Sequence, residues 1–246
     1  MEYQYNFSEN YPELYINENR INKAKKTLAI LKDYLRDLNQ LELLDIGSST
    51  GIMTNEYAKN FREVTGIDID KEAIKFSKEN FQRDNLTFLH QPIEELNNGK
   101  KKFDVITCSH IYEHVPNANL LIDEIYRLLK PGGVCYFAAG NKYKVMEGHY
   151  RLPFLSYFPK KISNFYLKIL NKGDYYYENH LSVIKLRKLV SKFQVVDYTL
   201  AVIDNPDLFS ANELLIKNSF KHKFIKSIAR YFYFFIPTYI WILVKK

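Results

Sequence analysis

Between Leu41 and Gly140 the chain alternates short apolar runs with segments whose apolar residues fall at helical spacing. The runs are LELLDIG, VTGIDID, LTFLH, FDVITCS and VCYFAAG. The helical segments are TNEYAKNF, KEAIKFSKENF and NLLIDEIYRLL, the last stopped by Pro131-Gly132-Gly133. Parallel strands need such crossovers, whereas antiparallel ones can be joined by two-residue turns. The alternation therefore implies an α/β fold with a doubly wound, mostly parallel sheet and helices on both faces. Ligands in such sheets bind outside the carboxyl ends of the strands.

A preceding helix is expected over residues 17–39, where Ile21, Ala24, Leu28, Leu31, Leu35 and Leu38 recur on one face. The alternation breaks after Gly140. Residues 141–180 read as an irregular, aromatic-rich insertion, and an interruption of that length in a compact domain points to a functional lid. LSVIKLRKLVSKF then reads as a helix, FQVVDYTLAVI as a strand and residues 211–230 as a helical stretch. TYIWILV reads as a buried last strand, because the apolar run from Phe232 to Val244 contains Pro237 and falls short of the roughly 20 residues that span a membrane. The expectation is one domain over 1–246: a core over 17–140, a substrate lid over 141–180, and closing elements over 181–246.

Charge is unevenly divided. Residues 151–246 carry 16 Lys and Arg against 6 Asp and Glu, while residues 1–150 are slightly acidic. The second part thus suits an anionic partner: a phosphorylated substrate, a membrane surface or nucleic acid. The basic stretch KNSFKHKFIKSIARYFYFF makes peripheral contact with an anionic membrane through 217–246 a candidate. The two cysteines, Cys108 and Cys135, sit in apolar strand-like runs, which fits a reducing cytosol and neither a disulfide framework nor a zinc site. MEYQYNFSEN lacks the basic and apolar regions of a signal peptide. The expected location is cytoplasmic, with the inner face of the membrane as its peripheral variant.

Three motifs carry chemistry. In LLDIGSSTG, Gly47 follows an apolar strand and Gly51 opens a helix. Only Gly-x-x-x-Gly is present, and no Gly-Lys-Ser/Thr follows, so the ligand need not be a pyrophosphate. In VTGIDID, Asp68 stands 21 residues after Gly47, where a carboxylate can accept hydrogen bonds from both ribose hydroxyls. Asp70 competes for that role, but it suits the N-cap of KEAIKF better. The third motif is FDVITCSHIYEHVPN, followed by EIYRLLKPGGVCYFAAGN.

In this order and spacing, the motifs over residues 43–140 resemble class I S-adenosylmethionine (SAM)-dependent methyltransferases, in the broad small-molecule branch that includes quinone-pathway enzymes; in the insertion, HYRLPFLSYFP resembles a segment of bacterial methyltransferases of surface-glycan or lipid-linked sugar pathways. The resemblance implies a Rossmann-like, seven-stranded, mostly parallel sheet whose seventh strand runs antiparallel, and SAM as cofactor. It implies that Asp45, Gly47, Ser48, Ser49 and Gly51 hold the methionine part, Asp68 the ribose, and Ile69 the adenine side. Pro92 stands where the family usually has Asp, so Gln91 or the backbone of Ile93 takes the adenine edge. Cys108, Ser109 and His110 match the end of the fourth strand, beside the transferring methyl group.

A sulfonium cofactor requires neither metal nor enzyme nucleophile, so no metal is expected, and Cys-x-x-Cys, His-Glu-x-x-His and Gly-x-Ser-x-Gly are all absent. If the acceptor is a hydroxyl, a base helps to remove its proton. His149 and His180, at the two ends of the insertion, are the candidates for that base, with His110 near the methyl group. His114 reads as a helix-start residue, and His90 and His222 lie away from the site. Tyr150, Arg151 and Tyr177 are the candidate substrate contacts. The expected reaction is O-methylation of a small-molecule or glycan/lipid-linked sugar acceptor. C- or N-methylation of a quinone-like or other small metabolite is the alternative. No nucleic-acid partner is expected, since the Asn/Asp-Pro-Pro-Tyr/Phe motif is missing after the fourth strand.

Overall fold

The computed structural model describes residues 5, 7–10, 12–96, 101–213 and 215–246. Strands β1 (Glu42–Ile46), β2 (Glu63–Asp68), β3 (Leu86–His90), β4 (Phe103–Ser109) and β5 (Leu129–Gly140) pair in parallel. Two short strands in the insertion, β6 (Met146–Glu147) and β7 (Leu152–Pro153), form a separate antiparallel pair. Strand β8 (Gln194–Asp197) lies at the sheet edge, and β9 (Thr238–Val244) runs antiparallel between β5 and β8. The main sheet has the order β3-β2-β1-β4-β5-β9-β8. The expected fold class and the antiparallel seventh strand are both present.

Helices α1 (Phe7–Asn10), α2 (Asn17–Leu35), α3 (Ile52–Ala58), α4 (Lys71–Asn80) and α5 (Ala118–Leu128) precede or connect the first strands. Alternate strand residues point to opposite faces, so each strand feeds two cores. Leu43, Val64, Val105 and Ile242 join Ala24, Leu31 and Tyr57 of α2 and α3 on one face. Leu44, Ile106, Phe137 and Trp241 join Leu121 and Ile125 of α5 on the other. Every one of these side chains is at most 2% exposed, which explains why the strands read as unbroken apolar runs.

Three expectations past Gly140 are corrected. The insertion is not irregular throughout: Lys160–Ile169 form helix α6, starting after Pro159, and Leu152, Leu155, Leu167 and Tyr176 make a small nucleus of their own. Beyond α7 (Val183–Leu189), the run FQVVDYTLAVI is a strand only to Asp197. Asp197 then turns its carboxylate onto the Thr199 amide (2.9 Å), and Thr199–Asp204 form helix α8. In the stretch expected to be helical over 211–230, helix α9 covers Phe220–Ala229, capped by the Ser219 hydroxyl on the His222 amide; Leu214 lies outside the described residues. Much of the MEYQYNFSEN stretch read above also lies outside them.

The insertion is tied at both ends. Asn141 and Leu181 form a parallel bridge. The buried Asn141 amide donates to the carbonyls of Phe234 (2.6 Å) and Ile236 (2.9 Å). The two ends of the insertion are thereby held together at the carboxyl end of β5, against the segment that leads into β9. Among the described residues, no helix is long and apolar enough to cross a membrane.

Candidate functional site

The turn after β1 is hung on β2. The amides of Gly47 and Ser48 both donate to the Ile67 carbonyl, at 2.9 and 3.0 Å. Closing the turn in so few residues drives Gly47, Ser49 and Gly51 to φ of +69°, +50° and +74°. At Gly47 a Cβ would also press on the tip of the Ile111 side chain, which would have to move, and the positive φ strains any other residue there. Ser48 is buried, and its hydroxyl has no hydrogen-bond partner among the described residues.

The same turn orients Asp68. Its Oδ2 accepts from the Ser49 amide (2.7 Å) and its Oδ1 from the Asp70 amide (2.9 Å). Burial pushes its carboxyl above the ordinary range, against the pull of these bonds. Asp70 is committed elsewhere: one oxygen caps α4 on the Ala73 amide and the other accepts from the Ser8 amide.

Asp45, at the end of β1, is buried between two threonine hydroxyls, Thr54 on α3 and Thr107 on β4, each at 2.6 Å. Burial raises its pKa to about 6 although both hydroxyls favour the charged form.

These groups open onto a cavity of about 590 Å³ at the carboxyl end of the sheet. Asp45, Gly47, Ser48 and Ser49 line it from the turn. Asp68, Ile69, Gln91 and Ile93 line it from β2 and the loop after β3, and Ser109, His110 and His149 from β4 and the lid. The remaining sequence candidates do not reach it. Gly51 faces α4 and β3, where a Cβ would meet Phe88 Cζ and Ser77 Oγ at 2.7 Å. Cys108 is fully buried in the apolar core, which pushes its thiol well above the ordinary range. His180 stands behind Gly140, with Nε2 2.8 Å from Lys144 Nζ and 3.5 Å from Glu147 Oε1. In the lid, Tyr150 donates to the Tyr175 carbonyl (3.2 Å) and packs edge-on against Tyr176. Arg151 is exposed at a φ of +53°, and Tyr177 is exposed against Tyr175.

Other cavity residues escaped the sequence reading. Arg20 and Lys23 of α2 line the wall near Asp45. Their spacing puts them on the helix face that also carries the buried Ala24 and Thr27, so the signal was present. His114 lines the cavity from a turn and does not start α5, whose N-cap is Asn117, with Oδ1 accepting from Asn119 and Leu120.

His110 closes β4 in the left-handed region (φ +57°), held by its amide on the Ala138 carbonyl (2.8 Å). Such backbone strain in a non-glycine residue gathers at functional sites. Its Nδ1 stands 3.1 Å from Oε1 of the buried Glu113. Burial alone would raise the Glu113 carboxyl, but His110 and the neighbouring imidazoles hold it at about 2. His149 repeats the arrangement on the lid: its Nδ1 lies 3.1 Å from Oε1 of Glu147. Glu147 also accepts from Lys144 Nζ (2.8 Å) and from two amides of the β6–β7 turn.

With the geometry in hand, comparison with known proteins identifies the architecture. Residues 44–137 match the family model described as a methyltransferase domain. The ubiquinone biosynthesis O-methyltransferase of Psychrobacter cryohalolentis is 30% identical over 153 residues, which is 60% of this chain and 56% of that protein. Its namesake in Coxiella burnetii is 33% identical over 102 residues, 41% of this chain and 44% of that protein. The chain thus spans about half the length of the curated relatives it matches. Among solved structures, the plantazolicin methyltransferase BpumL in complex with SAH superposes with a TM-score of 0.61 at 17% identity, covering 97% of this chain and 90% of that one. The magnesium protoporphyrin IX methyltransferase of Synechocystis PCC 6803 with bound SAH gives 0.55 at 14% identity, covering 94% and 85%. These likenesses establish the fold.

Asp45 makes a testable pH signature. An acid whose folded pKa lies above its unfolded value costs stability above the folded value, and the cost fades as pH falls through the window between them. Here that window runs from about 6 down to the ordinary 3.8. Asp45→Asn is therefore expected to stabilise the ligand-free chain by about 3 kcal/mol at pH 7 and by less than about 1 kcal/mol at pH 4. Urea midpoints at the two pH values measure this; an equal effect at both would contradict the burial account.

Proposed function

We propose that the chain, which carries a methyltransferase domain over residues 44–137, uses SAM to methylate a hydroxyl oxygen of a small aromatic acceptor. The observation that supports the cofactor assignment is the Asp68 carboxylate, oriented at the cavity wall by the Ser49 and Asp70 amides and set beside the glycine turn. Asp68 accepts from the ribose hydroxyls, with its rotamer already set by Ser49 and Asp70. Asp45 attracts the ammonium and Arg20 the carboxylate of the amino-acid end. Gln91 and Ile93 border the adenine. When bound, the cofactor supplies an electrophilic sulfonium methyl group, so the chain needs no covalent nucleophile.

The chain's remaining work is to position the acceptor and take up a proton. Glu113 engages Nδ1 of His110, which leaves Nε2 as the nitrogen that accepts the acceptor's hydroxyl proton. His180 is too far behind Gly140 for that role. From the β4 turn, α5, the lid and the N-terminal segment the cavity is lined by the apolar Phe7, Ile111, Val115, Leu121 and Met146, interleaved with Glu113, His114, Lys144 and His149. The lid groups suited to a sugar, Tyr150, Arg151 and Tyr177, turn elsewhere. This wall supports a ring-bearing acceptor over a glycan, as do the relatives named for ubiquinone biosynthesis.

The test is methyl-labelled SAM with a simple catechol such as 3,4-dihydroxybenzoate. Label is expected in a methoxy product, and His110→Ala is expected to lower kcat about 100-fold or more with cofactor affinity unchanged. Label on carbon or nitrogen, or full turnover by His110→Ala, would contradict the assignment.

The basic C-terminal part supports peripheral attachment to an anionic membrane, which would give access to a lipid-soluble acceptor. Helix α9 exposes Phe220 (86%) and Phe224 (56%) among Lys221, Lys223 and Lys226, and Tyr231 and Phe232 follow exposed. Aromatic side chains interleaved with lysines suit an interface of anionic headgroups. Co-sedimentation with phosphatidylglycerol vesicles is expected to fall with salt and to be lost in the double variant Phe220→Glu/Phe224→Glu. Equal binding to neutral phosphatidylcholine vesicles, or none to either, would contradict it.

A further inference from the structure

Where the lid meets the turn after β4, the chain buries more negative charge than its lysines neutralise. Glu113, Glu147 and Glu178 are each at most 1% exposed. Lys144 pairs with Glu147. Lys160, the other ammonium near Glu178, donates to the carbonyls of Tyr176 (2.5 Å) and Glu178 (2.7 Å). Among the described residues the Glu178 carboxylate accepts no hydrogen bond at either oxygen, and the ring nitrogen His149 Nδ1 stands 3.7 Å from it. A buried, unbonded carboxylate is costly unless a cation or a proton compensates it.

Glu178 faces two imidazoles. One nitrogen of His114, one of His149 and one oxygen of Glu178 all lie within 4.8 Å of one another. The His114 and His149 rings meet edge to face with centroids 5.1 Å apart, and both rings line the cavity. The three residues come from separate parts of the chain: the turn after β4, the tip of the β6–β7 pair and the returning end of the lid. That end is already laid against the β4 turn, because the Asn179 amide donates to the Glu113 carbonyl (2.8 Å) and the Leu181 amide to the Tyr112 hydroxyl (3.0 Å).

We propose that His114, His149 and Glu178 bind a divalent transition-metal ion that staples the lid to the β4 turn. Two imidazoles and one carboxylate are the donor set of open zinc and related first-row sites, and are poorly suited to magnesium, which takes oxygen donors. Glu147, on Nδ1 of His149 and anchored by two amides and Lys144, is the outer carboxylate that fixes a ligating imidazole. The protein fills three positions and the cavity borders the fourth. Resting on the methyltransferase reading, that position takes an oxygen of the acceptor, whose hydroxyl the ion acidifies beside His110. The sequence motifs used above gave no sign of this site, since its ligands are 35 and 29 residues apart and follow no metal-binding spacing.

The experiment is titration of the chelator-treated full chain with Co²⁺, read by visible absorption, and with Zn²⁺, read by calorimetry. One equivalent of each is expected to bind, with intense tetrahedral or five-coordinate Co²⁺ bands and a raised Tm. His149→Ala and Glu178→Gln are each expected to weaken binding at least tenfold, with SAH affinity, measured on the same samples, as the check that the core is intact. Metal affinity unchanged in both variants, or no binding of either ion to the wild-type chain, would overturn the site; His222→Ala, which leaves all three ligands in place, is expected to bind as the wild type does. Wild-type chain that binds Co²⁺ but not SAH would leave the metal site standing and defeat the cofactor reading instead.

Discussion

The two hydrogen bonds from the Gly47 and Ser48 amides to the Ile67 carbonyl organise the cofactor half of this molecule. They fold the chain back across the end of β2 as soon as β1 ends. That brings the Ser49 amide onto Asp68 and sets the turn at the cavity wall. Parallel pairing of β1 with both β2 and β4 sets this geometry, because it places three strand ends side by side at one rim. Asp45, Asp68 and His110 then converge from three different strands with no loop having to reach far.

The second half of the site rests on buried charge. Glu113 and Glu147 each hold one imidazole by Nδ1, and Glu178 faces a third arrangement with His114 and His149. Carboxylates this deep remain ionised only beside cations or strong donors. The insertion is therefore coupled electrostatically to the end of β4, and the proposed base and the proposed ion draw on one set of residues. Lys144 at the cavity wall and His180 behind Gly140 serve that network by engaging Glu147.

The parallel core was legible in the sequence because strands buried on both faces are apolar throughout, and the helices between them carry clear periodicity. The glycine turn and Asp68 were legible through spacing. Beyond Gly140 the signal weakened for identifiable reasons. Strand β8 is an edge strand and ends where Asp197 caps the next helix, while TLAVID is apolar enough to read as either element. Tyr150 and Tyr177 were legible as lid aromatics, and only the fold decides which of the lid aromatics pack on one another and which line a pocket. His180 could not be told from a cavity residue, since only the fold sets it behind Gly140. Arg20 and Lys23 could have been found from the face they share with the buried side of α2. Nothing local in the sequence joins His114, His149 and Glu178.

The account stands or falls on the turn and Asp68 as the cradle for a nucleoside with an amino-acid tail. Calorimetric titration of SAH into the wild-type chain and into Asp68→Ala tests this directly. One equivalent is expected to bind the wild type, and loss of the charged acceptor is expected to weaken binding by roughly 10- to 100-fold. No binding to the wild type, or equal affinity in the variant, would contradict it.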